Sequence, residues 1–455
     1  MESRSRPKTL TLASRPLRRF AGVLVLAAAA IFLFDRASEL GSPSPSLGVA
    51  HGASAENGKS TKGADPADGW RPVQRPDPAP ATTSGPRAIR GPLLGLRVEG
   101  DVTSGRFRVL DDVRSSTEPK PKVLYEGDRA SCEKRFVEIL EDRHGTGYLN
   151  LPFATLGGKQ VWADRFVCCG WRVQENALTG HSRLLDPNDR RLAWGSFEAC
   201  RVAFERQRLT ETIRPKSRKL VVVLHGLFRS RHGFANLTKS LEMAGYHVET
   251  VSYPSTRGSL REHADRITEI LASFDGFDSV SFVTHSLGGL LIREILARGA
   301  PWQERLKPER LVMLAPPNRG SVVAESMKDW LPFRAIVGEV AHDLTPDGVR
   351  DLPAPPCEFG VIAGGTGAEN GLNPFLPGDN DGTVLVANTK LPGMKDFLRV
   401  KALHSFIMEN ERVIEATVRF LSDGRFQPPP KPQTQASSRP VGGDARATQI
   451  AEEKP

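Results

Sequence analysis

Between residues 212 and 425, short apolar runs alternate with longer amphipathic stretches. Runs rich in β-branched residues, such as KLVVVLHG (219–226) and SVSFVTHS (279–286), predict buried strands. The other predicted strands are 247–255, 310–317, 359–365 and 397–403. Apolar residues at helical spacing predict helices over 233–244, 259–274, 287–298 and 405–422. Continuous apolar strands that alternate with helices are typical of a mostly parallel sheet covered by helices on both faces, so we predict an α/β domain here.

A smaller folded region, residues 93–207, precedes this domain and contains an internal repeat. Residues 107–140 align with 171–204: both begin with an aromatic residue followed by Arg-Val, and three later residues match (Gly127 with Gly195, Cys132 with Cys200, Phe136 with Phe204). Each copy has the pattern of two short strands followed, after the glycine, by an amphipathic helix. We therefore predict an accessory region of two ββα-like repeats. It lacks a convergent acid, base and nucleophile, which indicates a role in contacting a protein or a surface.

The two ends of the chain have a different composition. Residues 35–92 and 426–455 are rich in small and polar residues and lack apolar periodicity, which predicts a disordered linker and a disordered tail. The uncharged apolar run 20–34 follows a basic arm, 1–19, and no cleavage site stands close behind it. By the positive-inside rule, we predict a signal anchor with the arm in the cytoplasm and the α/β domain outside the cell membrane. Secretion after cleavage is the alternative.

Charge and cysteine content narrow the function classes. The formal net charge is +9 at pH 7, and the basic arm supplies about half of it. The remainder shows no basic stripe interleaved with aromatic residues, so we predict no nucleic-acid partner. The cysteines lack the spacing of a zinc site, and we predict neither a metal nor a cofactor. Cys132 and Cys200 are expected to be buried thiols, whereas a disulfide that involves Cys168 or Cys169 stays open.

Residues suited to hydrolysis follow predicted strands, at the sheet edge where parallel sheets bind ligands. Ser286 lies between a strand and a helix and precedes Gly288, which is the setting of a nucleophile elbow, although Thr284 stands where such elbows usually have glycine. His225 and Gly226 end the first strand. The backbone N–H groups of the two leucines that follow Gly226 and Ser286 (Leu227, Leu287) are candidate oxyanion donors.

A carboxylate and an imidazole follow the serine in chain order. GDNDGTV (378–384) comes after the strand 359–365, and His404 comes directly after the strand 397–403. With VVLHGLFRSRHGFANL, YPSTRGSL, VTHSLGG, APPNRGS and DNDGTV…H in this order, residues 219–423 resemble the lipase-like branch of the α/β-hydrolases. The resemblance implies that Ser286 is the nucleophile, Asp381 the orienting acid and His404 the base, with Leu227 and Leu287 as oxyanion donors. We predict His225, Gly226 and Gly288 as supporting residues from their places in the two turns. Asp379 is the alternative acid.

The resemblance further implies a lipase-like hydrolase that cleaves an ester or lipid substrate through an acyl-enzyme. An acyltransferase with the same three residues and a non-catalytic binding protein on the same fold are the alternatives. The segment 321–358 has apolar residues at helical spacing (Trp330, Leu331, Phe333, Ile336, Val337). Two interpretations of this segment stay open, a cover over an acyl pocket and an ordinary packed helix.

Overall fold

The structure, a computed structural model, describes residues 87–112, 121–145, 148–149 and 161–428. The basic arm, the predicted anchor at 20–34 and most of the predicted linker and tail lie outside the described residues. Within these described ranges, no helix has the length and apolar character needed to cross a membrane.

Two small units come first, and each consists of an antiparallel sheet followed by a helix. The first unit contains β1 (Arg87–Leu93), β2 (Leu96–Asp101), β3 (Arg106–Asp111), β4 (Lys122–Gly127) and α1 (Arg129–His144). The second contains β5 (Tyr148–Leu149), β6 (Trp162–Cys168), β7 (Trp171–Asn176), β8 (Ser182–Leu185), β9 (Arg191–Gly195) and α2 (Phe197–Thr210). Both helices begin at a side-chain cap, Asp128 in the first unit and Ser196 in the second.

The repeat is longer than the predicted ββα pattern, and its first half has a different alignment. Val98 of β2 faces Val109 of β3, and Val173 of β7 faces Leu184 of β8 in the same way. Both hairpins turn at a glycine with positive φ (Gly105, Gly180). The strand that begins at Leu96, rather than the one that contains Phe107, therefore corresponds to the strand that begins at Trp171.

Each unit accordingly has four matching strands before its helix. The predicted alignment was wrong there because Phe107-Arg-Val and Trp171-Arg-Val match by residue type. The strand pairing across the whole hairpin matches Leu96-Arg-Val, and not Phe107-Arg-Val, to Trp171-Arg-Val. A motif of three residues does not contain this information.

The larger domain is built on six parallel strands in the order β11-β10-β12-β13-β14-β15. The strands are β10 (Lys219–Leu224), β11 (His247–Val251), β12 (Ser279–His285), β13 (Lys307–Leu314), β14 (Glu358–Gly364) and β15 (Asp396–Val400). The helices are α3 (Ala235–Met243), α4 (Leu260–Ser273), α5 (Leu287–Ala297), α6 (Trp302–Arg305), α7 (Val322–Met327), α8 (Leu331–Val337), α9 (Val340–Asp343), α10 (Pro346–Val349), α11 (Val386–Thr389) and α12 (Glu411–Asp423). Two 3-10 turns stand at Arg231–Phe234 and His404–Glu409.

Helices cover both faces of this sheet, as the continuous apolar strands predict. Alternate residues of β10 enter two separate cores, Leu220, Val222 and Leu224 on one face and Val221 and Val223 on the other. The first core contains residues of α4 and α5, and the second contains residues of α3 and α12. The fold class predicted from the sequence is therefore confirmed for residues 219–423.

Two predicted boundaries were wrong by a few residues. The linker predicted over 35–92 overlaps β1, which begins at Arg87. The tail predicted from residue 426 begins later, because Phe426 is buried and its ring lies 4.8 Å from the ring of Phe420. The segments around these two boundaries have few apolar residues, so composition alone does not predict that Arg87 begins a strand or that Phe426 is buried.

The second small unit packs along β11, which is an edge strand of the larger sheet. The N–H of Asp164 in β6 donates to the carbonyl of Ser252 at 2.9 Å, and the N–H of Ser252 donates back to the Asp164 carboxylate at 2.7 Å. Val167 of β6 joins the apolar core of the larger domain. The unit therefore covers an edge that would otherwise expose unpaired backbone groups.

The segment between β13 and β14 forms the four short helices α7 to α10. Phe333 and Val337 of α8 are buried in the core of the larger domain, as expected of an ordinary packed helix. Leu331, at the start of the same helix, is 75% exposed. This segment therefore has one face in the core and exposes Leu331 on the surface.

Candidate active site

Ser286 stands at a sharp turn between β12 and α5. Its backbone has φ 51° and ψ −119°, a strained conformation for a residue with a side chain. The N–H of Ser286 donates to the carbonyl of Leu314 at 2.9 Å, which fixes the turn against β13. A strained serine between a strand and a helix is the geometry of a nucleophile elbow.

Two glycines give this turn the space that it needs. A Cβ atom at Gly226 would lie 2.7 Å from Nδ1 of His285 and 2.9 Å from Cβ of Ser286. A Cβ atom at Gly288 would lie 2.7 Å from the carbonyl oxygen of Leu224. Neither position can hold a larger residue without a backbone shift. Thr284 is fully buried in β12, and the turn forms with this residue in place of the usual glycine.

His404 connects Ser286 to a buried carboxylate. Its Nε2 lies 2.9 Å from Oγ of Ser286, and its Nδ1 lies 2.7 Å from Oδ2 of Asp381. The other oxygen of Asp381 accepts hydrogen bonds from the N–H groups of Thr383 and Val384, at 3.0 and 2.8 Å. These bonds fix the carboxylate toward the imidazole. The structure thus brings together the serine, the acid and the histidine named from the sequence.

Asp379 has a different environment. Its carboxylate accepts hydrogen bonds from the N–H groups of Thr366 and Gly367, at 2.7 and 2.9 Å, and so holds the loop that follows β14. Its Oδ2 also lies 3.6 Å from the guanidinium of Arg399. Of the two candidate acids, Asp381 is therefore the one that contacts His404.

The two candidate oxyanion donors belong to segments next to the nucleophile. Leu287 is the first residue of α5, where backbone N–H groups lack partners within the helix. Leu227 follows Gly226, whose position beside Ser286 places this loop next to the nucleophile. Phe228 then takes a positive φ of 58°, and its N–H donates to Oγ of Ser255 at 3.1 Å, which fixes the end of the loop.

Several solved structures are similar to this chain. The chain matches no protein-family model and no curated protein. It is similar to the mature lipase BlEst2 of Bacillus licheniformis, with 19% identity over 44% of this chain and 90% of that chain and a TM-score of 0.37. It is also similar to the metagenomic carboxyl esterase MGS0156 (22% identity, 41% of this chain and 65% of that chain, TM-score 0.35) and to phospholipase PlaB of Legionella pneumophila (15% identity, 46% and 59%, TM-score 0.36). The larger domain has an α/β-hydrolase fold.

His225 supports the loop of the larger domain that carries Leu227. The N–H of Tyr253 donates to its Nε2 at 3.2 Å, so the ring proton is on Nδ1, which donates to the carbonyl of Gly226 at 2.9 Å. The ring stacks on that of Tyr253 at 4.2 Å. Burial lowers the pKa of His225 to about 4, so the ring is neutral at pH 7. These contacts agree with its prediction as a supporting residue.

His285 and Arg229 contact the loop that carries His404. These contacts were not predicted from the sequence. Nε2 of His285 donates to the carbonyl of His404 at 3.0 Å, and the two rings lie 4.8 Å apart. Burial is the main reason why the pKa of His285 is well below its ordinary value, and repulsion from His404 lowers it further. The guanidinium of Arg229 donates to the carbonyl of Ser405. Strand alternation correctly predicts that the side chain of His285 points away from the nucleophile. It does not predict that the loop carrying His404 contacts this side chain.

Exposed apolar side chains stand next to His404 in the chain. Leu403 is 52% exposed and Phe406 is 43% exposed, and both adjoin His404 in the chain. Leu227 and Phe228, which follow Gly226, are partly buried against the main core. A hydrophobic group of a ligand could thus be accommodated close to the serine hydroxyl.

Proposed function

We propose that the protein is a serine hydrolase that cleaves carboxylic esters through an acyl-enzyme. One observation carries the proposal, namely the continuous hydrogen-bonded chain from Ser286 through His404 to the buried Asp381. Since Nδ1 of His404 donates to the carboxylate, its Nε2 is free to accept the proton of the serine hydroxyl. The strained turn at Ser286 supports the same role, because it presents the hydroxyl at the end of the sheet.

The reaction then proceeds in two halves. Oγ of Ser286 attacks the ester carbonyl as its proton passes to Nε2 of His404, and the N–H groups of Leu227 and Leu287 stabilise the oxyanion. Collapse of the tetrahedral intermediate breaks the ester bond, and His404 gives the proton to the departing alcohol. Water attacks the acyl-enzyme with His404 as base, and the carboxylic acid and free serine are restored. Asp381 stabilises the imidazolium in both halves.

The apolar side chains near the site support a substrate whose acyl group is hydrophobic. Lipid esters are substrates of this kind. Leu403 and Phe406 are exposed beside His404, and Leu227 and Phe228 follow Gly226, which lies next to the serine. Removing an acyl chain from water against such surfaces is favourable by about 25 cal/mol per Å² of buried apolar surface.

Hydrolysis of p-nitrophenyl esters of increasing acyl length by the purified full-length chain tests the proposal. Ser286→Ala should reduce turnover by several orders of magnitude, since it removes the attacking oxygen. Ser281→Ala is the matched control, because Ser281 is a buried serine of the same strand that lies outside the proposed machinery. Equal loss in both variants, or a few-fold loss in Ser286→Ala, would contradict the assignment. Added alcohols that become acylated would indicate an acyltransferase instead.

We also propose that the chain is anchored by residues 20–34, with the hydrolase domain outside the cytoplasm. The basic arm that precedes this apolar run supports the orientation, because basic residues favour the cytoplasmic side. In this topology, the small units lie between the anchor and the hydrolase domain and are available to a protein or surface partner.

A further inference from the structure

A cluster of metal-binding groups lies where the second small unit meets the edge strand β11. Sγ of Cys169, a ring nitrogen of His247 and a carboxylate oxygen of Glu249 all lie within 4.8 Å of one another. Sγ of Cys168 lies 3.8 Å from Sγ of Cys169. The proposed ester hydrolysis uses none of these groups, so their convergence requires another explanation.

The cluster is assembled from two distant parts of the chain. His247 and Glu249 are alternate residues of β11, and their side chains therefore point to the same face of the strand. Cys169 and Gly170 form the two-residue turn between β6 and β7, with φ values of 53° and 83°. Such turns favour Asn, Asp and Gly, so a cysteine there is conformationally costly. The N–H of Cys169 donates to the Glu249 carboxylate, which fixes the turn against β11.

The separations suit a tetrahedral zinc ion. With zinc–ligand bonds of about 2.0–2.3 Å, neighbouring ligand atoms are roughly 3.3–3.8 Å apart. Nε2 of His247 lies 3.0 Å from Oε1 of Glu249, and the two sulfur atoms lie 3.8 Å apart, so small side-chain movements would complete the geometry. Thiolate, imidazole and carboxylate together favour zinc over magnesium or calcium, which prefer ligand sets made of oxygen.

The surroundings restrict how these side chains can move. His247 and Glu249 are buried, and the two cysteines are partly buried. The ring of His247 stacks on Phe277 at 5.3 Å, which fixes its orientation. Cys132 lies in the core of the first small unit, and Cys200, in the core against which Cys168 and Cys169 pack, is not among the donor groups that converge. The donor set is therefore Cys169, His247 and Glu249, with Cys168 adjacent.

We propose that Cys169, His247 and Glu249 bind a zinc ion, with the Cys168 thiolate as the fourth ligand, and that the ion joins the second small unit to the hydrolase sheet. The ion is structural. His247 pairs with Leu220 at the amino end of the parallel strands, whereas Ser286 follows the carboxyl end, roughly 15–20 Å away along the sheet. Zinc uptake requires thiolates and a neutral imidazole, so protons are released on binding.

Cobalt(II) is the spectroscopic probe for this site. The reduced, chelator-treated full-length chain should take up one equivalent per chain and develop the near-ultraviolet charge-transfer band of a thiolate–cobalt bond, which zinc then abolishes by displacement. Cys169→Ser should lose most of this band. Glu249→Gln should keep it but weaken cobalt binding at least tenfold. Cys357→Ser is the matched control, because this partly buried cysteine lies outside the cluster and its loss should leave uptake unchanged.

Thermal unfolding provides a second measurement that does not depend on ester hydrolysis. Zinc should raise the Tm of the wild-type chain and of Cys357→Ser equally, and it should raise the Tm of Glu249→Gln less, because this variant binds the ion more weakly. Circular dichroism of each variant separates loss of a ligand from loss of folding. The proposal is overturned if the reduced wild-type chain shows no saturable uptake, or if folded Cys169→Ser binds cobalt as the wild type does.

Discussion

The contact between the second small unit and the hydrolase domain can be tested at Asp164. This residue is 2% exposed, and its carboxylate accepts hydrogen bonds from Arg172 at 2.7 Å, from Gln174 at 2.8 Å and from the N–H of Ser252 at 2.7 Å. Asp164→Ala removes all three acceptor contacts. It also leaves the guanidinium of Arg172, itself 2% exposed, without its carboxylate partner.

The expected loss is large because the remaining charge stays buried. Breaking a buried ion pair by removing one partner costs about 3–5 kcal/mol. At about 2–4 °C per kcal/mol, as for a domain of 150–250 residues, Asp164→Ala should lower the Tm by about 6–20 °C. Replacing Arg172 by Met in the same chain removes the unpaired charge, so the double variant should be more stable than Asp164→Ala alone.

Thermal unfolding of the three proteins, followed by circular dichroism at pH 7, measures both effects. The same samples report on the active site, because Ser252 precedes Tyr253, whose N–H and hydroxyl bind His225 beside the oxyanion loop. We expect ester turnover to fall in Asp164→Ala at temperatures where the chain remains folded. A Tm within 2 °C of wild type, or a double variant less stable than the single one, would refute the reasoning.

Three further predictions concern the acid, the histidines and the topology. Asp381→Asn should lower kcat of ester hydrolysis by several orders of magnitude, as expected when the base loses its orienting partner, whereas Asp379→Asn should lower it far less; the reverse order would exchange their roles. Burial lowers the pKa of His225 and of His263 to about 4, so protons favour the unfolded chain. Tm should therefore be highest above about pH 6.5 and fall as the pH decreases toward 4; a constant Tm would contradict this. Alkaline phosphatase fused after residue 91 should be active and membrane-bound in a bacterial host, and an inactive fusion would place the domain inside.

Local patterns were sufficient for the fold of the larger domain. Strands such as β10 and β12 are continuous apolar runs, and each is followed by residues at helical spacing, so the period identifies the element without tertiary information. The convergence of Ser286, Asp381 and His404 could be anticipated because parallel strands place all their carboxyl ends at one edge. Their catalytic roles stay predictions.

Contacts between distant segments could not be predicted in this way. His285 and Arg229 reach the His404 loop across the sheet, and neither has a sequence signal that names this partner. Cys169 meets β11 only because the second small unit packs against the edge of the hydrolase sheet. The alignment of the repeat depended on hairpin pairing, which a motif of three residues does not specify.

Mapping the adduct of a fluorophosphonate on the full-length chain tests the central claim most directly. This reagent phosphonylates a serine only when a base activates its hydroxyl, so the label reports on Ser286 and His404 together. We predict one label per chain, located by peptide mass spectrometry on the peptide that contains Ser286, and lost in Ser286→Ala and His404→Ala. A folded wild-type chain that takes no label, or a label on another serine, would contradict the account.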